Sequence, residues 1–125
     1  MNLILVGPSG VGKTHIALAL AYEACQKEIR TLWTTAADML NTLTAAKADS
    51  SLMDAIKQYA SPKLLVIDEL GFLPMDKDGS ALFFQIISHR YEQGSVVLTT
   101  NRAFKDWGKI FNDNTVAAAV LDRLV

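Results

Sequence analysis

The 125-residue chain is 50% hydrophobic and 20% charged, with 12 Lys and Arg residues against 13 Asp and Glu residues and a formal net charge of −1. This length and composition predict about one globular domain with a hydrophobic core, and they argue against disordered, collagen-like and solenoid proteins. The chain lacks the excess of basic residues that is typical of proteins that bind mainly to nucleic-acid phosphate backbones.

The cysteine content and the hydropathy pattern favour a cytoplasmic protein with no membrane partner. Cys25 is the single cysteine, so it cannot form an internal disulfide, which fits a reducing compartment and excludes a cysteine-bound structural zinc site. We expect it to be a small buried side chain on a helix. The apolar start Leu3–Val6 has no basic leader and stops at Gly7, unlike a secretory signal. No apolar run approaches the roughly 20 residues of a membrane span.

Short apolar runs alternate with segments of helical periodicity along the chain. In chain order the pattern predicts strand Leu3–Val6, helix His15–Lys27, strand Arg30–Thr35, helices Ala36–Lys47 and Ser51–Ala60, strand Lys63–Asp68, a loop over Gly71–Asp78, helix Ala81–Gln93 stopped by Gly94, strand Ser95–Thr99 and helix Val116–Leu124. Such alternation predicts a parallel sheet covered by helices on both faces. Ligands of such sheets bind at the carboxyl ends of the strands.

A glycine-rich segment between the first strand and the first helix fits the phosphate-loop pattern G-x-x-x-x-G-K-[ST]. Its glycines allow backbone N–H groups to surround an anion, and the following helix adds the positive end of its dipole. Lys13 should bridge the β- and γ-phosphates of a nucleotide, and the Thr14 hydroxyl should ligate Mg²⁺. A chance glycine-rich turn is the alternative, which the strand and helix context argues against. The predicted nucleotide-binding residues are Gly7, Pro8, Ser9, Gly10, Val11, Gly12, Lys13, Thr14 and His15.

Two carboxylates follow the apolar run Leu64–Ile67. Since adjacent strand residues point in opposite directions, the two acids cannot do the same job. Asp68 is suited to the Mg²⁺ shell, and Glu69 to orienting or deprotonating the water that attacks the γ-phosphate. An acidic pair after a strand can also be a solvated turn, but the phosphate loop favours the catalytic interpretation.

Two further polar residues are candidates for ATP hydrolysis. Asn101 follows the last strand, where some ATPases place a residue that senses the γ-phosphate; a turn residue bonded to its own backbone is the alternative. Arg123, at the end of the last helix, cannot easily reach the phosphates of its own subunit but could act in trans as an arginine finger in a ring. A helix-end arginine at the negative end of the dipole is the other interpretation. Arg102 is a second, less supported arginine candidate.

Beyond these motifs, the chain resembles a known family essentially from end to end. The similar segments are the phosphate loop with His15–Ala21, then Thr34–Asp38, Leu65–Pro74, Thr99–Arg102 and the pair Asp106-Trp107. They resemble the IstB-type ATP-binding helper proteins of insertion-sequence transposition, which are AAA+ ATPases similar to DnaC-type helicase loaders. The resemblance implies a three-layer αβα P-loop NTPase with a parallel sheet of strand order 1-4-3-2.

The resemblance also implies an activity, cofactors and partners. It implies an ATPase that uses ATP and Mg²⁺, self-assembles into a ring or filament on duplex DNA, and acts with a cognate transposase. Position by position, it gives the Walker A role to Gly7–Thr14, the Walker B role to Asp68 and Glu69, the sensor role to Asn101, and the finger role to Arg123. Glu28 and Ala103 depart from the family pattern, because they stand where glycine and proline are expected.

Family members also have an N-terminal region and a fifth strand beyond the position of Arg123. We therefore expect residues 1–125 to be an AAA+ ATPase core truncated at both ends. Without the fifth strand, Leu3–Val6 would be an edge strand, and an apolar edge favours unwanted pairing. We expect such a core to bind ATP weakly and to hydrolyse it slowly on its own.

Other functions remain open at this point. A DnaC-type loader would use the same chemistry with a replicative helicase as partner, and a nucleotide-gated scaffold would bind ATP with little turnover. Glu69 argues against the scaffold, and the absence of a lid or acceptor motif argues against a small-molecule kinase. The basic residues are scattered and are expected to be solvated surface charges; they are Lys47, Lys57, Lys63, Arg90, Lys105 and Lys109.

Overall fold

A parallel sheet lies at the centre of the computed structural model, which describes residues 1–8, 10 and 12–125. Its strands are β1 (Leu3–Val6), β2 (Thr31–Thr35), β3 (Leu64–Leu70) and β4 (Ser95–Thr100), in the order β1-β4-β3-β2. The predicted strand order is therefore confirmed. Because β1 lies at an edge, Leu3 and Val6 are 39% and 45% exposed.

The helices cover the two faces of the sheet unequally. They are α1 (Lys13–Gln26), α2 (Ala36–Ala48), α3 (Leu52–Ala60), α4 (Lys77–Arg90), α5 (Trp107–Phe111) and α6 (Asn114–Leu124), with a 3₁₀ turn over Phe104–Asp106. Ala17 and Ala21 of α1 pack against Val66 and Val97 on one face. The other helices bury the larger core on the opposite face, around side chains such as Phe83. This is a three-layer αβα arrangement, as predicted.

The prediction that Cys25 is buried is wrong, because its side chain is exposed. The buried face of α1 consists of Ala17, Ala21 and Ala24, which follow each other at helical spacing. Cys25 is one residue further along, which places it about 100° around the helix from Ala24.

Helix α4 begins and ends earlier than predicted. The Asp76 side chain accepts a hydrogen bond of 2.7 Å from the Gly79 N–H, which caps the helix start at Lys77. The helix ends at Arg90, so Gly94 lies in the following turn and does not stop the helix. Gly94 has a φ of 75°, and a Cβ added there would lie 2.6 Å from the Lys63 carbonyl oxygen.

Arg90 is buried, contrary to the expectation of a solvated charge, with only 3% of its surface exposed. Its guanidinium donates to the backbone carbonyls of five residues, namely Tyr59, Ala60, Pro62, Lys63 and Ser95. Burial lowers the pKa of the Arg90 guanidinium from its ordinary value. Arg90 thus ties the end of α4 to the segments that lead into β3 and β4.

Within the described ranges, no helix is long and apolar enough to cross a bilayer.

Candidate nucleotide site

The fold brings the predicted metal-binding residues together at the carboxyl ends of the strands. Thr14 lies in the first turn of α1, and Asp68 lies near the end of β3. The Thr14 hydroxyl is 3.0 Å and 3.2 Å from the two carboxylate oxygens of Asp68, although the residues are 54 positions apart. Asp68 is buried, with 1% of its surface exposed.

A cavity of about 360 Å³ lies beside this pair. Its described lining residues are Gly10, Gly12, Lys13, Thr14, His15, Glu69, Phe72 and Thr99. Gly10 and Gly12 have φ values of 84° and 89°, a left-handed conformation that favours glycine. The predicted residues Ser9 and Val11 lie outside the described residues.

The start of the phosphate loop is already hydrogen-bonded. The Gly7 N–H donates to the Thr100 carbonyl at 3.1 Å, which extends the pairing of β1 with β4. The Lys13 ammonium donates to the Pro8 carbonyl at 2.7 Å. Gly7 and Pro8 therefore shape the loop, whereas Lys13 and His15 line the cavity where a phosphate would lie.

The donor atoms fit Mg²⁺ rather than a softer metal. Thr14 and Asp68 offer one hydroxyl and one carboxylate, and Mg²⁺ is commonly held by one or two protein oxygens together with substrate phosphates and water. Among residues 1–8, 10 and 12–125, no group of three or more His, Cys, Asp or Glu side chains is placed to hold a metal ion by itself.

The two acids of the predicted pair lie in a β-bulge. The register of β3 with β4 passes from Ile67 opposite Leu98 to Leu70 opposite Thr100, so Asp68 and Glu69 together face Thr99. Glu69 has a φ of 63°, in the left-handed region. Asp68 turns into the protein, while Glu69 is exposed and lines the cavity.

A family model described as IstB-like ATP binding protein matches residues 1–125. The chain belongs to this family.

Curated relatives of this IstB-like chain come from insertion sequences. A protein of IS232 from Bacillus thuringiensis subsp. berliner, described as ATP-binding, is 44% identical over 124 residues, which are 99% of this chain and 50% of that protein. A protein of IS21 from Pseudomonas aeruginosa, also described as ATP-binding, is 42% identical over 99% of this chain and 47% of its own length. The chain thus spans about half the length of these relatives.

Solved structures share the fold at lower sequence identity. The DnaC helicase loader has a TM-score of 0.82 and 23% identity, covering 99% of this chain and 75% of that one. The replication initiator DnaA bound to AMPPCP and single-stranded DNA has a TM-score of 0.85 and 19% identity, covering 98% of this chain and 38% of that one. At such identities the likeness establishes the fold alone, a three-layer α/β arrangement around a parallel sheet.

Two candidates of the IstB-like chain lie away from the cavity. Asn101 is exposed directly after β4 and is not among the described lining residues. The Arg123 guanidinium lies 4.7 Å from the centre of the Phe84 ring and donates to the Ala119 carbonyl at 3.3 Å. Both contacts lie within its own subunit.

The surroundings of Arg123 place it far from its own phosphate loop. It lines a depression with Met1, Asn2 and Gly94, which precede β1 and β4, whereas the loop follows the carboxyl end of β1. Arg102, the second arginine candidate, packs its side chain over Gly71. Sequence reasoning overlooked Thr99, because a threonine inside an apolar strand carries no signal of its own.

Proposed function

We propose that this IstB-like chain is the ATP-binding and ATP-hydrolysing core of a cytoplasmic helper protein of insertion-sequence transposition. The observation that carries the proposal is the contact of Thr14 with Asp68 at the edge of a cavity that Lys13 and Glu69 also line. The family description and the insertion-sequence origin of the relatives support the transposition context.

In this proposal, the phosphate loop and Lys13 bind the phosphates of ATP. Lys13 leaves the Pro8 carbonyl and contacts the β- and γ-phosphates, and the start of α1 contributes free N–H groups and the positive end of its dipole. Thr14 and Asp68 would hold Mg²⁺, which would neutralise charge on the phosphate oxygens.

Glu69 is proposed to activate water, because it is the exposed carboxylate of the cavity. Its carboxylate accepts a proton from the attacking water as the water oxygen bonds to the γ-phosphorus. The bond between the γ-phosphorus and the β–γ bridging oxygen breaks, and the products are ADP and phosphate. Asn101, directly after β4, is proposed to help hold that water once ATP is bound.

Assembly is proposed to complete the site. Arg123 lies away from its own phosphate loop, so it would serve as a finger for a neighbouring subunit in a ring or filament on duplex DNA. Because the chain spans about half the length of its relatives, we assign the contacts with DNA and with a transposase to the whole protein. Residues 1–125 are its AAA+ core, with weak ATP binding and slow turnover in isolation.

Two substitutions test the ATPase assignment. Lys13→Ala should abolish nucleotide binding, measured with a fluorescent ATP analogue, and Glu69→Gln should retain ATP but stop phosphate release. Lys27→Ala and Glu23→Gln are the matched controls, since both side chains are exposed, with Glu23 near the end of α1 and Lys27 directly after it. Undiminished ATP affinity in Lys13→Ala would refute the binding site. Equal turnover in Glu69→Gln and the parent would refute the role of Glu69 and, where both rates are near background, would favour the scaffold alternative.

Assemblies that mix two variants test whether Arg123 acts on the site of a neighbouring subunit. Subunits carrying Arg123→Ala keep their own Glu69, and subunits carrying Glu69→Gln keep Arg123. A verified mixed assembly should therefore regain some turnover that neither variant has alone. No recovery would count against a finger supplied by the neighbour.

The partners need separate measurements. Fluorescence anisotropy with duplex DNA, with and without a non-hydrolysable ATP analogue, should report nucleotide-dependent binding that weakens as salt rises. A transposase gene beside the coding sequence would support the transposition role, and a replicative helicase gene in its place would favour the loader alternative.

A further inference from the structure

The threonine that faces the acidic bulge occupies an unusual position in the sheet. Thr99 lies on β4 directly opposite Asp68 and Glu69 and has only 1% of its surface exposed. On β4 it follows Val97 and Leu98, which are apolar and belong to the core, and it precedes Thr100, which is also buried. A buried hydroxyl needs hydrogen-bond partners, and those of Thr99 are the two acidic residues.

The Thr99 hydroxyl is hydrogen-bonded to both Asp68 and Glu69. The Glu69 backbone N–H donates to the Thr99 Oγ at 2.9 Å, and the Thr99 hydroxyl donates to one carboxylate oxygen of Asp68. A hydroxyl has one proton to donate and lone pairs to accept, so both bonds exist together. Asp68 is therefore held from two sides, by Thr99 on β4 and by Thr14 on α1.

The bond to the Glu69 backbone supports a conformation that glutamate avoids. A left-handed φ is unfavourable for a residue with a side chain, because the Cβ approaches the following carbonyl oxygen, and Glu69 has a φ of 63°. The bulge also removes regular ladder pairing at this point, so the N–H of Glu69 needs another acceptor. Thr99 supplies that acceptor and so favours the bulged backbone from which Glu69 reaches the cavity.

We propose that Thr99 is a positioning residue for ATP hydrolysis, whose hydroxyl fixes the Asp68 carboxylate and the Glu69 backbone relative to each other. This inference rests on the proposed ATPase function and deepens it. Thr99 acts through the two acids, so its loss should impair turnover and the use of Mg²⁺ much more than the binding of ATP.

Thr99→Val removes both hydrogen bonds while keeping the branched shape that suits a buried strand. In the full-length protein we expect kcat for ATP to fall about 10- to 100-fold, as for other residues that orient metal ligands. The Mg²⁺ concentration for half-maximal turnover should rise, and the affinity for a fluorescent ATP analogue should change little. Thr99→Ser keeps the hydroxyl and should recover most of the turnover.

The matched control is Thr34→Val. Thr34 is also a buried threonine of the sheet, and its hydroxyl donates to the Thr35 carbonyl rather than to either acid. The Thr34→Val variant should turn over ATP at the parental rate. Equal losses in Thr34→Val and Thr99→Val would mean general destabilisation and would overturn the inference, as would a Thr99→Ser variant as slow as Thr99→Val.

Glu69→Gln in the same series separates the two proposals. If Glu69→Gln is inactive while Thr99→Val turns over at the parental rate with an unchanged Mg²⁺ requirement, the positioning role is wrong and the ATPase assignment stands. If neither the parent nor Glu69→Gln turns over ATP above background, the proposed function is wrong and the role of Thr99 falls with it; if both turn over ATP at the same rate, the role of Glu69 is wrong, and Thr99→Val at that rate too would overturn the positioning role.

Discussion

The buried guanidinium of Arg90 allows a stability prediction with a defined magnitude. Among the described residues, no carboxylate lies within 4.0 Å of Arg90, so its charge is balanced by backbone carbonyls alone. The bonds to the Tyr59 and Pro62 carbonyls, at 3.0 Å and 2.7 Å, are buried. The Lys63 carbonyl has a second donor, the Ser95 N–H at 2.8 Å, and so keeps a partner without Arg90.

Arg90→Met retains much of the stem volume and removes every donor. Leaving a buried carbonyl unsatisfied costs about 1–3 kcal/mol, so the two dependent carbonyls predict a loss of about 2–6 kcal/mol. Total stabilities are about 5–15 kcal/mol, so this loss is a large fraction. Arg90→Lys keeps a charge but not the planar guanidinium. Its free energy of unfolding should lie between those of Arg90→Met and the parent.

Urea unfolding followed by circular dichroism measures the loss, with the m-value as a check that the unfolded state is unchanged. Arg30→Met is the matched control. Arg30 is exposed and makes a hydrogen bond to the Ser61 hydroxyl, so its loss should stay within about 0.5 kcal/mol. If Arg90→Met is also within about 0.5 kcal/mol of the parent, the carbonyls have found other partners and the reasoning is refuted.

Three further substitutions test local structure by thermal or urea unfolding. Glu28→Gly should stabilise by about 0.5 kcal/mol, because Glu28 has a φ of 60° after α1; a loss would show that the side chain stabilises the turn. Gly71→Ala should destabilise by about 1–3 kcal/mol, since φ is 90° and a Cβ would lie 2.9 Å from the Arg102 Cγ; a neutral result would contradict this. Asp76→Ala should cost about 1 kcal/mol through the lost cap of α4, and more than Asp78→Ala in the same turn; equal losses would argue against a capping role.

Much of the fold was predictable from hydrophobic periodicity and from one motif. The four strands were placed correctly because three of them contain a short apolar run beside glycine, proline or polar residues, and β2 consists of β-branched, aromatic and leucine residues. The start of α4 was missed because its first turn, Lys77–Ser80, is polar and shows no apolar period. Helix α5 was missed because five residues are too few for a period, although Trp107, Ile110 and Phe111 lie in the core.

Burial of single polar residues was harder to predict than the elements that carry them. Arg90 looks like a surface charge in the sequence, since its partners are carbonyls from two other segments that only the tertiary structure brings together. Cys25, in contrast, was predicted to be buried and is exposed. Three alanines already fill the buried face of α1, so the residue next to Ala24 is left outside.

The acidic pair has a geometry that its order in the sequence does not predict. Strand alternation alone would send Asp68 and Glu69 to opposite faces of the sheet. A bulge is difficult to foresee here, because glutamate is a poor choice for a left-handed φ, and the compensating group, Thr99, is thirty residues away on the next strand. The bulge leaves Asp68 buried against Thr14 and Glu69 exposed at the cavity. The proposed division of roles between the two acids therefore depends on the neighbouring strand as well as on their own order in the sequence.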